Sequence, residues 1–232
     1  MQLNLASLFP KSVSVGYCRP EDIAGRLYPE ELLLIDGSVA KRRREFIAGR
    51  LLARQALARL GRPATPILAH DRRPLWPPGT IGSITHASGQ CGAAVALVED
   101  LAGIGLDVEV LGALTSELQR QVLTEPERDW VHSLSAATQA HWATTTFCAK
   151  KAFYKSLAEL GVNFVEFHEV RIRHGADSTF EVIAGSAALA AKLRDLVVTG
   201  RSVVEQSWIW TGVTLQRKGC SISPAAQCLE PV

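Results

Sequence analysis

Two acidic residues one position apart, Asp107 and Glu109, close the stretch Gly103-Ile104-Gly105-Leu106-Asp107-Val108-Glu109-Val110. In an extended segment the period of two places both carboxylates on one side and Leu106, Val108 and Val110 on the other. Neighbouring carboxylates repel unless a cation sits between them. Hard oxygen ligands suit Mg²⁺, which takes one or two carboxylates plus substrate phosphates and waters. Asp107 and Glu109 are thus candidate metal ligands; the competing reading is a solvated strand face beside a turn.

A magnesium-phosphate site also needs fixed cations, and three stretches offer them. In Phe147-Cys-Ala-Lys-Lys-Ala-Phe-Tyr-Lys155, Lys151 and Lys155 stand one helical turn apart, with Phe147 on the same side. Lys41 to Arg44 form a basic cluster, and Arg72-Arg73 lie in a loop stiffened by Pro74, Pro77 and Pro78. Gly82-Ser83-Ile84-Thr85-His86 adds hydroxyls and an imidazole, although a lone histidine is more often satisfied within a core.

Regular elements must hold these groups. Ala53, Ala56, Leu57 and Leu60 recur at helical spacing, so a helix is expected from about Val39 to Leu60, stopped by Gly61 and Pro63. Arg43, Arg50 and Arg54 share one side of it. Val13 to Tyr17, Ala93 to Val98 and the acidic stretch read as strands, with a turn at Glu99-Asp100. Glu125-Pro126-Glu127 opens a helix that continues through Val131. A second long helix is expected from Trp142 to Leu160, burying Ala149, Phe153, Ser156 and Leu160 and capped by Gly161. Beyond it come strands over Phe167–Ile172 and Phe180–Ala184, a helix over Ala187–Leu196, and one final strand over Val203–Leu215. A frayed tail is expected from Arg217 onward.

A chain of 232 residues with 47% apolar content can bury a proper core. Its net charge of +2 is too small to announce nucleic-acid binding, and no exposed aromatic residues interleave with the basic cluster. Five dispersed cysteines without metal-ligand spacing read as reduced thiols. No stretch approaches the roughly 18 apolar residues of a membrane span. A cytoplasmic location follows as an expectation.

Taken together and in this order, the Gly82–His86, Gly105–Glu109 and Phe147–Lys155 stretches resemble the signature of the 4′-phosphopantetheinyl transferases of the long Sfp/EntD-type group, which serve siderophore, peptide and polyketide synthases. The Arg73-Pro-Leu-Trp-Pro loop and Ala48-Gly-Arg50 also look like that group. The resemblance implies an α/β (α+β) fold of two similar, pseudo-twofold-related halves, residues 1–104 and 105–216, in a monomer. It implies transfer of the phosphopantetheine arm of coenzyme A to a serine of an acyl- or peptidyl-carrier protein, releasing adenosine 3′,5′-bisphosphate. By the same resemblance Asp107 and Glu109 hold Mg²⁺ against the pyrophosphate. Ser83, Thr85 and His86 bind the coenzyme, the imidazole donating to its 3′-phosphate. Lys41, Arg44, Arg72 and Arg73 line the nucleotide pocket, and Lys150 and Lys155 meet the pyrophosphate. Arg50 and Arg54 stand between a binding and a structural role.

One position departs from the pattern. Where such enzymes carry a glutamate that binds metal and takes the serine proton, this chain has Lys151, and a charged lysine can do neither. Three readings stay open. Lys151 lays a fixed charge on the pyrophosphate while water or a substrate phosphate takes the proton; the chain binds coenzyme A without transferring; or the lysine is an introduced change.

Overall fold

A computed structural model describes residues 4–71, 73–162 and 165–219. The first half comprises β1 (Ser14–Cys18), α1 (Pro29–Leu32), α2 (Ala40–Arg59), the short pair β2 (Ala69–His70) and β3 (Arg73–Pro74), and the hairpin β4 (Thr80–Ala87) and β5 (Gln90–Leu97). Strands β1, β5 and β4 form an antiparallel sheet in that order. The apolar run of β5 is continuous because both its faces are covered. Cys91, Ala93 and Val95 meet Ala48, Leu52, Ala56 and Leu57 of α2, while Ala94 and Ala96 turn to a second core shared with Ile104, Leu106, Val108 and Trp210. Burying each leucine of α2 contributes roughly 1.5–3 kcal/mol, which is why this helix holds despite a basic first turn.

The second half contains β6 (Gly103–Val110), α3 (Ser116–Val122), α4 (Glu125–Ser133), α5 (Ala136–Ser156), β7 (Val170–His174), β8 (Thr179–Ala184), α6 (Ala187–Leu193), β9 (Leu196–Glu205) and β10 (Trp208–Arg217). Its five-stranded sheet runs β6-β10-β9-β8-β7. Helix α5 covers one face, packing Ala149, Ala152, Phe153 and Leu157 against Val213, Leu215, Val170 and Phe180. The fold is α+β, with one long helix on each sheet.

Several boundaries differ from the sequence reading. Helix α5 begins at Ala136, a turn and more before Trp142, and ends at Ser156; Ala158–Leu160 is a separate 3-10 turn. The single strand expected over Val203–Leu215 is a hairpin, β9 and β10, with the bend at Gln206, whose φ of 54° replaces the glycine that would have marked it. The segment Phe167–Glu169 is a 3-10 turn, so β7 starts later than expected. Arg217 ends β10, paired with Leu196, whereas the rest of the expected tail from residue 220 lies outside the described residues. No helix among the described residues is long and apolar enough to cross a membrane.

What positions the site is the contact of β6 with α5. Residues 103, 105, 107 and 109 face the helix. A Cβ on Gly105 would lie 1.8 Å from the Ala152 carbonyl oxygen, and one on Gly103 would lie 2.2 Å from that of Ser156. Only glycine permits this approach. The helix therefore rests on the strand backbone at 103 and 105, and the next two side chains on that face, Asp107 and Glu109, project directly at it.

The two sheets meet at β4 and β6 through side chains. Ser83 Oγ accepts from the Leu106 amide at 3.0 Å. Lys155 Nζ donates to the Ile84 carbonyl at 3.4 Å and the Leu106 carbonyl at 3.0 Å, tying one strand of each sheet to α5.

Candidate active site

Acids on β6 and amines on α5 are in direct contact. Lys155 Nζ lies 2.7 Å from Asp107 Oδ1, and Lys151 Nζ lies 3.2 Å from Asp107 Oδ2 while also pairing with Glu109. Asp107 is 1% exposed, and both its oxygens are occupied. Oδ1 accepts from Lys155 and, at 3.2 Å, from Thr85 Oγ1; Oδ2 forms the ion pair with Lys151 and lies 3.5 Å from Cys148 Sγ, whose one proton also has the Ile209 carbonyl at 3.5 Å. Burial works against the charge on Lys151, but Asp107 and then Glu109 outweigh it and hold the ammonium's pKa above the ordinary lysine value. The Cys148 thiol is fully buried, and its burial beside Asp107 pushes it well up, so it is a packing residue and not a nucleophile.

A second cluster adjoins. His86 Nδ1 stands 3.2 Å from Glu45 Oε2, and its Nε2 stands 2.6 Å from Arg42 Nη1. A guanidinium only donates, so Nε2 carries the lone pair and the Nδ1 proton goes to Glu45. Burial is the main force keeping the ring's pKa below the usual histidine value, opposed by Glu45 and assisted by Arg42, Lys155 and Lys151. His86 therefore has no proton left for a phosphate; it aims Arg42 instead. Arg42, Phe46, Arg50 and His86 line a hollow of about 330 Å³.

A neighbouring hollow of about 450 Å³ shares Pro74 and Ile84 with the first and is lined further by Arg73, Trp76, Tyr154 and Lys155. The two form one cleft along β4, with Lys155 at its edge.

The structure reassigns several residues. Lys41 and Arg44 are exposed, Lys41 lying 4.0 Å from Glu45 beside the first hollow; the cation of this cluster that lines that hollow is Arg42. Ser83 and Thr85 are 4% and 2% exposed, and their hydroxyls are bonded to Leu106 and Asp107; Ser83 also lines the second hollow. Lys150 is fully buried on another side of α5. Its ammonium pairs with Glu127 at 2.7 Å and donates to the Val122 and Phe167 carbonyls at 2.8 Å, which makes it a strut between α3, α4 and the turn before β7, out of reach of the cleft. Burial lowers its pKa against the pull of Glu127. Arg54 is likewise structural, paired with buried Glu31 at 2.7 Å, and Arg50 donates to the Ile67 carbonyl at 2.7 Å while stacking on Phe46. Arg73 lines the second hollow; Arg72 lies outside the described residues.

The acid pair does not fit a divalent ion as it stands. The position between Asp107 and Glu109 is held by the Lys151 ammonium, and Asp107 has no free oxygen. Among the described residues no group of three or more His, Cys, Asp or Glu side chains could hold a metal ion. The Mg²⁺ expected at these two carboxylates would thus meet a lysine already seated between them.

A cleft lined by Arg42, Arg50, Arg73 and Lys155 in an α+β frame suits a ligand with several negative charges. Comparison with known proteins makes this specific. Residues 29–96 match the 4′-phosphopantetheinyl transferase N-terminal domain, and residues 103–204 match the 4′-phosphopantetheinyl transferase superfamily. The chain is 40% identical over 169 residues to the 4′-phosphopantetheinyl transferase Npt of Nocardia iowensis, covering 72% of each. It is 37% identical over 197 residues to the 4′-phosphopantetheinyl transferase PptT of Mycobacterium tuberculosis, covering 81% of this chain and 85% of that one. A holo-(acyl-carrier-protein) synthase from Bacillus anthracis, solved in complex with CoA (3′,5′-ADP), aligns with 51% of this chain and 98% of its own at 20% identity and a TM-score of 0.41. The chain belongs to the 4′-phosphopantetheinyl transferase superfamily.

Proposed function

We propose that this enzyme transfers the 4′-phosphopantetheine arm of coenzyme A to a serine hydroxyl of an acyl- or peptidyl-carrier protein, releasing adenosine 3′,5′-bisphosphate. The observation that carries the proposal is the cleft itself. Its first hollow sets Arg42 and Arg50 where a 3′-phosphate could be met, with Glu45 turned to His86, and Lys155 lines the second hollow where a pyrophosphate would follow, Lys151 standing one helical turn behind it. The serine Oγ–P bond forms as the pyrophosphate P–O bond breaks, and the hydroxyl proton leaves to water or to the departing phosphate. Transfer of this kind draws mainly on positioning and fixed charge, both of which the site supplies. General-base assistance is worth about 10²- to 10⁴-fold, so its absence slows the step without forbidding it.

Magnesium dependence and a role of Asp107 and Glu109 as metal ligands have weaker support, because Lys151 stands between the two acids. That same lysine favours a second reading, a coenzyme A-binding protein that does not transfer. The test is to incubate the chain with coenzyme A and an apo carrier protein and to weigh the carrier by mass spectrometry. A gain of one phosphopantetheine arm is expected. An unmodified carrier, with coenzyme A still bound by the chain, would select the second reading.

A further inference from the structure

We propose that Lys151 is the resident cation of this site: its ammonium takes the place of a divalent ion between Asp107 and Glu109, so that the pyrophosphate of coenzyme A is held without Mg²⁺. The inference rests on the reading of the cleft as the coenzyme A site.

The geometry carries the argument. Lys151 Nζ contacts both carboxylates at once, as a bridging ion would, and is covalently tethered to the helix that covers the strand. A carboxylate offers about four lone-pair positions; Lys155 and Thr85 donate to Asp107, and the Lys151 ammonium and the Cys148 thiol crowd its other oxygen. An ion bridging the two acids would have to displace the Lys151 ammonium. Removing Lys151 from its partners would also take a counter-charge from Asp107, which is 1% exposed.

Charge accounting agrees. Two carboxylates face two ammonium groups, so the cluster is neutral without any ion. Lys151 and Lys155 keep 30% and 32% of their side chains exposed, enough for their positive charge to reach a polyanion in the adjoining cleft. Changing Lys151 to glutamate would remove two units of positive charge, the charge of one divalent ion, and add a third carboxylate. The structure thus defines a variant in which metal dependence should appear.

The experiment measures coenzyme A affinity by calorimetry for the natural chain and for Lys151→Glu, each in EDTA and in millimolar MgCl2, with carrier modification followed in the same four samples. For the natural chain the affinity should agree within about twofold between the two buffers. For Lys151→Glu it should be at least tenfold weaker in EDTA than in MgCl2. Loss of binding by the natural chain in EDTA, restored by Mg²⁺, overturns the proposal, and so does a Lys151→Glu variant indifferent to the metal. Should that variant not fold, the two samples of the natural chain decide the matter alone. Metal-indifferent binding with an unmodified carrier upholds the cation and removes the transferase reading; no binding in either buffer removes both.

Discussion

Gly105 lies directly under Ala152, so close that a side chain on the strand would run into the helix carbonyl at 1.8 Å. The reach of Lys151 and Lys155 to Asp107 depends on this approach. Gly105→Ala should force α5 off β6, costing about 3 kcal/mol or more, in the range of severe overpacking. Urea denaturation would read the loss. Coenzyme A affinity should fall with it, because the ammonium groups retreat from the acids.

Arg42 and His86 act as a pair. Arg42→Ala should weaken coenzyme A binding by about 10- to 100-fold, the worth of a charge-assisted hydrogen bond, and leave binding of dephospho-coenzyme A, which lacks the 3′-phosphate, nearly unchanged. His86→Ala should show the same preference more weakly, and the double variant should lose little beyond Arg42→Ala. Lys41→Ala and Arg44→Ala should stay within about twofold of the natural chain in calorimetry. A large effect of Lys41→Ala on coenzyme A alone would refute the assignment of Arg42.

Lys150→Met should unfold the chain more easily without touching the chemistry. It strands Glu127, 3% exposed, whose carboxylate also accepts from the Thr124 and Ile172 amides. Breaking one side of a buried pair costs about 3–5 kcal/mol. The KM for coenzyme A should not move, and this split distinguishes a strut from a ligand.

Acid stability should carry the mark of His174. Its ring stacks on Trp130 and touches Trp142, and burial, with His141 nearby, pushes its pKa down to about 4. In the unfolded chain it titrates near pH 6.5. Between those values the unfolded state binds a proton that the folded state refuses, so stability falls as the pH drops from about 6.5 to 4, by at most about 3 kcal/mol. His174→Phe should flatten that part of a pH series of denaturation midpoints. An unchanged slope would refute the assignment.

The acid pair and the two useful lysines were legible because strand and helix periods fix side-chain direction without any knowledge of the fold. Lys150 was not, since its buried partner Glu127 belongs to another helix and only tertiary packing brings them together. In the cluster Lys41 to Arg44 the helical period singles out Arg42 as the residue on the cleft side. Carried backward in steps of three and four, the stripe Leu57, Ala53, Arg50, Phe46 arrives at Arg42, passing over Lys41 and Arg44. The β9–β10 bend escaped notice because Gln206 adopts a backbone conformation usually advertised by glycine or asparagine. Glu45 gave no signal at all; an acidic residue in a basic helix start reads as a surface salt bridge until its histidine is known.

Where β4 runs beside β6, a serine hydroxyl and a lysine ammonium substitute for the rungs of a continuous ladder. A polyanion drawing Lys155 toward itself would tug on Ile84 and Asp107 together, making occupancy of the groove and closure of this seam a single equilibrium. The Leu106 amide, bonded only to that hydroxyl across the join, should then exchange its hydrogen at a rate that follows ligand saturation, giving a one-atom gauge of how the halves respond to cargo.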